Sequence, residues 1–272
     1  MKAIVNTMIA NLHSAPEMMS ELTDEVFYGM TVEILEICGE AWLRVETPYR
    51  YKGYCLRENL LISDELVTKW RNEAKYIVIQ NFADVLLEPK IQSSKIMTLV
   101  KGSTIKVVKH QENGDWTKVE LASGEVGYTR THWIQDKIEQ MTVSEEEFRE
   151  KVVRSALSYL STPYRWGGKT PVGIDCSGLC SMAYMLNGVI IYRDAKIVEG
   201  FPIKEIQMDL MQKGDLLYFP GHIAMYIGDS LYVHSSLGGN EVSINSLNEQ
   251  HPKYRQDLAT TITAVGSLFA PK

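Results

Sequence analysis

The sequence predicts an α+β chain in which two small all-β barrels precede a mixed domain with a core of its own. Three observations carry this prediction. A rhythm of Gly, short alternating strand, polar turn, Trp-bearing strand and Gly-Tyr strand occurs twice in the first half. A capped helical pattern opens near residue 141, and alternating apolar strands around two histidines follow it. The 272 residues leave room for two or three domains of about 100–200 residues each. Lys and Arg total 28 against 34 Asp and Glu, a formal net charge of −6, with 45% hydrophobic and 23% charged residues. That is ordinary for a globular chain and excludes disorder, collagen and coiled coil. Apolar runs such as Ile223–Ile227 fall far short of the about 18–20 residues needed to cross a membrane. A net acidic chain without a basic cluster is a poor nucleic-acid ligand, so neither nucleic acid nor membrane is an expected partner.

The elements follow in order. Alternation through Lys2–Leu12 predicts a half-buried strand, and Asn6 and Asn11 interrupt any secretory apolar core of about 7–15 residues. This reading expects no signal peptide and a cytoplasmic protein. The four cysteines, Cys38, Cys55, Cys176 and Cys180, are too few and too irregular for a disulfide scaffold and are expected as free thiols. In the repeat, Gly29 matches Gly102, Trp42 matches Trp116, and Gly53-Tyr54 matches Gly127-Tyr128, offset by 73–74 residues. Gly-punctuated short strands argue for small barrels, with each Trp as a core anchor. Ser63 is the expected N-cap of a helix between the copies. Ser144 with Glu147 makes a capping-box pattern ahead of Phe148, Val152, Val153, Ala156, Leu157 and Leu160 at helical spacing. The expected domains are residues 1–65, 66–140 and 141–272.

The third segment concentrates the chemistry. Gly167, Gly168, Gly173, Pro163 and Pro171 predict a loop, and Asp175 then opens a helix from Cys176 to Asn187 closed by Gly188. A cysteine in the first turn of a helix meets unpaired N–H groups and the positive end of the dipole, which favour a thiolate. It becomes a nucleophile when a base is near. His222 and His234 each sit in an alternating run, and a turn at Asp229 makes those strands antiparallel neighbours. Two imidazoles then face one site, one to take the thiol proton and one to orient it. The alternatives are a buried small hydrophobe, which Cys180 exemplifies, and zinc, whose usual spacings C-x3-C and H-x11-H do not match. His13, His110, His132 and His251 have no recognisable partners and are expected at the surface.

The ordered set PYRWGG, DCSG, GDLLYF, GHIAMYIGD and YVHSS, over residues 141–272, resembles the NlpC/P60 cysteine peptidases. The tandem repeats resemble bacterial SH3 (SH3b) domains. The whole chain is therefore similar to a papain-like NlpC/P60 catalytic domain preceded by two small SH3-like barrels. With Arg193-Asp194-Ala195, it resembles the branch of γ-D-glutamyl-L-diamino acid endopeptidases. The resemblance implies hydrolysis of murein stem peptides that carry a free N-terminal L-Ala, at the bond from γ-D-Glu to L-Lys or diaminopimelate, with no cofactor and no metal.

It implies Cys176 as nucleophile, His222 as general base and acid holding the thiolate as an ion pair, and His234 as the orienting third member. The Tyr164 hydroxyl would join the Cys176 backbone N–H in binding the oxyanion. Asp175 would meet the substrate ammonium, Ser177 would line the same pocket, and Trp166 would form an aromatic wall. Arg193 would pair with the α-carboxylate of γ-D-Glu, braced by Asp194, the plain alternative being a surface ion pair. Ala195 departs from the Ser often seen there, which removes one hydrogen bond. Glu21 and Tyr51, with Glu17 or Tyr54 as substitutes, would come from the first barrel and close the site beyond two residues. An exported wall-lytic endopeptidase would need an export signal. A non-catalytic wall binder would lack Cys176 or His222, and both are present.

Overall fold

The computed structural model describes residues 1–110 and 114–269. The side chain of His110 and residues 111–113 lie outside the described residues. The chain divides into two compact units, residues 1–137 and 138–272.

The first unit holds both copies of the repeat. In the first copy, β1 (Lys2–Val5), β2 (Ile9–His13), β3 (Leu22–Phe27), β4 (Thr31–Cys38), β5 (Trp42–Glu46), β6 (Lys52–Leu56) and β7 (Leu60–Ile62) form a sheet in the order β3-β2-β6-β5-β4-β1-β7. Helix α1 (Asp64–Glu73) follows, with the Ser63 hydroxyl accepting the Leu66 N–H at 3.1 Å as an N-cap. The second copy has β8 (Tyr76–Val78), β9 (Phe82–Leu86), β10 (Lys95–Val100), β11 (Thr104–His110), β12 (Trp116–Glu120), β13 (Val126–Arg130) and β14 (Ile134–Asp136). Their order is β10-β9-β13-β12-β11-β8-β14. Subtracting seven from each label reproduces the first order, so the sequence repeat is a repeat of topology.

The repeated residues have distinct reasons. Gly29 and Gly102 both take positive φ, +79° and +95°, at the turn into β4 and β11. Gly53 and Gly127 instead allow close crossing. A Cβ at Gly53 would lie 2.9 Å from the Leu12 Cβ, and one at Gly127 would lie 2.7 Å from the Leu86 carbonyl oxygen. Trp42 and Trp116 are both buried. His13 packs edge-on against Trp42 at 5.1 Å and is itself buried, so it is not a surface residue. The Lys2–Leu12 alternation is not one strand. The chain leaves β1, which pairs with β4 and β7, and re-enters as β2, which pairs with β3 and β6. Closing a small barrel changes the pairing partners while the period of two runs on. Val67 and Trp70 of α1 share one core with Ile4 and Tyr28 of the first copy and Val119 and Leu121 of the second. Trp70 donates its indole N–H to the Gly29 carbonyl at 2.9 Å.

In the second unit, α2 (Glu145–Leu157) starts where expected, with the Ser144 hydroxyl accepting the Glu147 N–H at 3.3 Å. The Glu147 carboxylate pairs with Lys151 at 2.8 Å rather than returning to the cap. The helix stops at Leu157, short of Leu160, because the chain reverses at Ser161 (φ +63°) to reach the Val242 carbonyl. A short hairpin of β15 (Lys169–Thr170) and β16 (Gly173–Ile174) leads into α3 (Cys176–Met185). The antiparallel sheet comprises β17 (Lys204–Ile206), β18 (Leu216–Phe219), β19 (His222–Gly228), β20 (Leu231–Ser236), β21 (Glu241–Ser246) and β22 (Ala264–Ser267). Its order is β17-β22-β18-β19-β20-β21, and a short helix α4 (Gln256–Ala259) lies between β21 and β22 in the chain. Helix α3 is buried on every side, as an all-round apolar helix must be. It ends two residues before Asn187, with Gly188 (φ +80°) closing it.

Gly29 and Gly124 both have positive φ, but only Gly29 is crowded: its Cβ would stand 2.3 Å from the Thr104 carbonyl oxygen, whereas Gly124 faces open space. In denaturant titrations Gly124→Ala should cost about 1–2 kcal/mol, the price of the left-handed backbone alone. Gly29→Ala should cost clearly more, and equal losses would refute the packing argument.

Candidate active site

The nucleophile candidate is placed by a carboxylate. Asp175 is the N-cap of α3, its Oδ1 accepting the Gly178 N–H at 2.6 Å. Gly178 is glycine because a Cβ there would lie 2.2 Å from the Gly168 carbonyl oxygen, so the loop can close on the first turn. The Asp175 N–H in turn donates to Gly168 at 3.1 Å. Cys176 then occupies the first helical position with 7% of its surface exposed. The backbone N–H groups of Ser177 and Ile223 point at its sulfur. Ile223 directly follows His222, so the thiol meets the sheet where β19 begins.

The histidines face the same way. Phe219 pairs with His222 across β18 and β19, and Tyr226 pairs with Tyr232 across β19 and β20. His222 and Tyr226 are four residues apart and Tyr232 and His234 two, so all four share one face of the sheet. The hairpin between them has positive φ at both Asp229 (+51°) and Ser230 (+62°), as a two-residue type I′ turn requires. His222 Nε2 lies 2.8 Å from His234 Nδ1, and His234 Nε2 lies 2.9 Å from Asn245 Oδ1. Phe219 packs 5.6 Å from the His222 ring and Tyr232 5.1 Å from the His234 ring.

Burial dominates the ionisation of this group. It pushes the Cys176 thiol up to about 11, with Asp175 adding to the rise and the two N–H groups opposing it. It pushes His222 down to about 3, with His234 and Arg255 adding to the fall, and His234 down to about 4. Burial and the Asp175 charge thus favour the neutral thiol and burial the neutral imidazole, against the expected thiolate–imidazolium pair, while the helix-start N–H groups favour the thiolate. Cys180, fully buried one turn on, is raised further and is inert.

Tyr164 is stitched into the site by backbone bonds. Its N–H donates to Asn240 at 2.7 Å, and the N–H groups of Arg165 and Ile174 close the bridge beside it. Burial, and then the charges of Cys176 and Asp175, raise its hydroxyl to about 12, so it remains a proton donor. Trp166 is 60% exposed.

Arg193 is not a surface ion pair. It is 1% exposed, and its fork closes on Asp175, Nη1 to Oδ1 at 3.0 Å and Nη2 to Oδ2 at 2.9 Å. Nη1 also donates to the Ser177 hydroxyl at 2.8 Å, and that hydroxyl lies 3.2 Å from Asp175 Oδ1. Asp175, Ser177 and Arg193 thus form one buried network under the helix start. Asp175 serves as its counterion, since a guanidinium taken out of water needs a charge beside it. Asp194 itself is half-buried next in the chain. Glu21 and Tyr51 belong to the first unit. Glu21 is exposed ahead of β3, and Tyr51 packs on the core of the first barrel.

Asn245 escaped the sequence reading. It is one polar residue in an alternating strand, and only the register of β20 on β21, which sets it opposite Tyr232, brings it to His234. His132 is exposed, while His251 accepts the Lys253 N–H at its Nδ1 at 3.1 Å. Among the described residues, no group of three or more His, Cys, Asp or Glu is arranged to hold a metal ion. No helix among them is long and apolar enough to cross a membrane.

Comparison with known proteins bears on this arrangement. Residues 161–261 match the NlpC/P60 family, and residues 83–135 match the bacterial SH3 domain. The chain is 62% identical over 271 residues to dipeptidyl-peptidase 6 of Lysinibacillus sphaericus, covering 99% of this chain and 100% of that one. It is 24% identical over 264 residues to the gamma-D-glutamyl-L-lysine dipeptidyl-peptidase of Bacillus cereus, covering 88% and 74%. A crystal structure of an NlpC/P60 family protein from Bacillus cereus superposes with a TM-score of 0.81 over 97% of this chain and 98% of that one. At 20% identity, that likeness speaks for the fold.

Two measurements test this site. Alkylation of Cys176 by iodoacetamide should be slow at pH 6 and climb toward about pH 11, whereas a plateau reached in mild acid would mean a preformed ion pair. Arg193→Met should lower unfolding stability by about 3–5 kcal/mol, because it strands the Asp175 charge. A loss below about 1 kcal/mol would place that pair among surface ones.

Proposed function

The chain belongs to the NlpC/P60 family of cysteine peptidases, and on that premise we propose that it hydrolyses the γ-D-glutamyl–L-diamino acid bond of murein stem peptides with a free N-terminal L-Ala. The observation that carries this reading is the 2.8 Å contact of His222 with His234 beside the buried Cys176, whose sulfur meets the N–H of Ile223, the residue after His222. The likeness to the two dipeptidyl-peptidases supports the choice of bond.

The proposed chemistry uses the neutral pair. Cys176 Sγ attacks the γ-glutamyl carbonyl as its proton passes to the free nitrogen of His222. The Cys176 backbone N–H and the Tyr164 hydroxyl receive the oxyanion, both preorganised by the loop and the helix start. His222 then gives the proton to the departing amine, leaving a thioester on Cys176. Water attacks the thioester while His222 takes and returns a proton, which frees the dipeptide acid and the thiol.

Substrate contacts are proposed at the same helix start. A free ammonium removed from water needs an anionic partner. Asp175 Oδ2, which receives Arg193 at 2.9 Å, has a second lone pair for it. Trp166 would flank the dipeptide, Asp194 would shape the far wall, and Arg193 would hold Asp175 from beneath. A cytoplasmic setting, in recycling of released wall peptides, is supported by four cysteines that stand as free thiols.

The test is a pair of substrates. L-Ala-γ-D-Glu-L-Lys and its diaminopimelate counterpart should be cleaved after γ-D-Glu, and their N-acetylated forms at a rate at least about tenfold lower, the effect of losing one charged contact of about 1.4 kcal/mol. Equal rates would remove the free-amine claim. Cys176→Ala should abolish turnover, a loss of at least about a thousandfold, and residual wild-type rates would remove the nucleophile.

A further inference from the structure

The hydrogen bonds beyond His234 have a direction. The Lys253 carbonyl lies 2.9 Å from Asn245 Nδ2 and also accepts the Ser246 N–H at 3.0 Å. A carbonyl only accepts, so the amide nitrogen of Asn245 must face it and Oδ1 must face His234. The carbonyl is itself anchored, because the Lys253 N–H donates to His251 Nδ1 at 3.1 Å and the His251 N–H donates to Asn248 at 3.0 Å. Oδ1 is an acceptor, so His234 Nε2, 2.9 Å away, must carry a hydrogen. Neutral His234 then has its lone pair on Nδ1. That atom lies 2.8 Å from His222 Nε2, which must donate to it. Neutral His222 is left with its lone pair on Nδ1.

We propose that Asn245, fixed by the Lys253 carbonyl, is a positioning residue that sets the tautomers of both histidines and leaves His222 Nδ1 unprotonated, ready to take the Cys176 proton. This deepens the cysteine-peptidase reading and rests on it for its functional meaning. A His–His pair has no built-in direction. Two neutral imidazoles can share one hydrogen in either direction. With the direction reversed, His234 Nδ1 donates to His222 Nε2 and His222 carries its hydrogen on Nδ1, where it cannot act as a base. A carboxylate in the third position would decide the direction by charge, whereas a neutral imidazole decides nothing unless its far nitrogen is committed. Asn245 commits it without adding a charge. Nothing in the line then pulls His222 away from the neutral form that burial favours.

The experiment uses the whole chain with 15N-labelled histidine. In the wild type, both His222 and His234 should show protonated Nε2 and unprotonated Nδ1. Asn245→Leu should mix the tautomers of both rings and lower kcat, with KM little changed. The loss should lie between about tenfold, usual for an outer hydrogen-bond partner, and about 10⁴-fold, the effect of a wrong tautomer in a serine triad. Asn245→Asp keeps the acceptor but repels the Lys253 carbonyl. It should restore the wild-type tautomers and most of kcat, whereas a merely structural role predicts that Asp fails along with Leu. A wild-type spectrum with the hydrogen on Nδ1 of either ring overturns the proposal even if every variant misfolds. So do unchanged tautomers in Asn245→Leu. If the tautomers behave as stated but the wild type cleaves no γ-glutamyl peptide, the positioning role stands and the proposed choice of bond falls.

Discussion

The carboxylate of Asp175 ties the second unit together at its most consequential point. One oxygen caps the first turn of α3, and both take the fork of Arg193, with the Ser177 hydroxyl alongside. The cap determines where the helix begins, and hence that Cys176 stands in its first turn. The ion pair makes that cap tolerable inside the protein, since an unpaired carboxylate at 6% exposure would be costly. Gly168 and Gly178 let the loop approach closely enough to complete the enclosure. The same carboxylate raises the Cys176 thiol. Structural necessity and thiol reactivity pull in opposite directions here, since burial and this carboxylate both favour the neutral thiol.

That outcome shapes how the proposed chemistry must work. A preformed thiolate is stabilised by charge. A neutral pair depends on direction, meaning which nitrogen of which ring holds the hydrogen when substrate arrives. Phe219 and Tyr232 pack against the imidazoles, and burial favours the neutral form of both. Geometry then replaces electrostatics as the organising principle, and a line of hydrogen bonds ending at a backbone carbonyl is a means of supplying it. The backbone suits that role because its acceptor cannot reverse.

The first unit builds on backbone geometry in another sense. Its two copies share few residues, yet their strand orders are the same. Beside the buried Trp42 and Trp116, the shared positions include those where a side chain would be misplaced: a left-handed turn at Gly29 and Gly102, and a close strand crossing at Gly53 and Gly127. Elsewhere, apolar residues of about the right size suffice.

The amino-acid order by itself determined the repeat, the caps at Ser63, Ser144 and Asp175, the placement of Cys176 in a helical first turn, and the pairing of the His222 and His234 strands. Each depends on neighbours within a few residues or on a period along one strand, and such signals survive in one dimension. Other features needed the folded chain. The Lys2–Leu12 alternation concealed a break, because a period of two does not record a change of partner strand. Arg193 pairs with Asp175, eighteen residues earlier in the sequence, because the spatial closure of the loop brought a buried charge to its counterion. Asn245 was one polar residue among several until the register of β21 set it beside His234. The ionisation of Cys176 was decided by burial, which is a property of everything packed around a group rather than of the residues beside it in the chain.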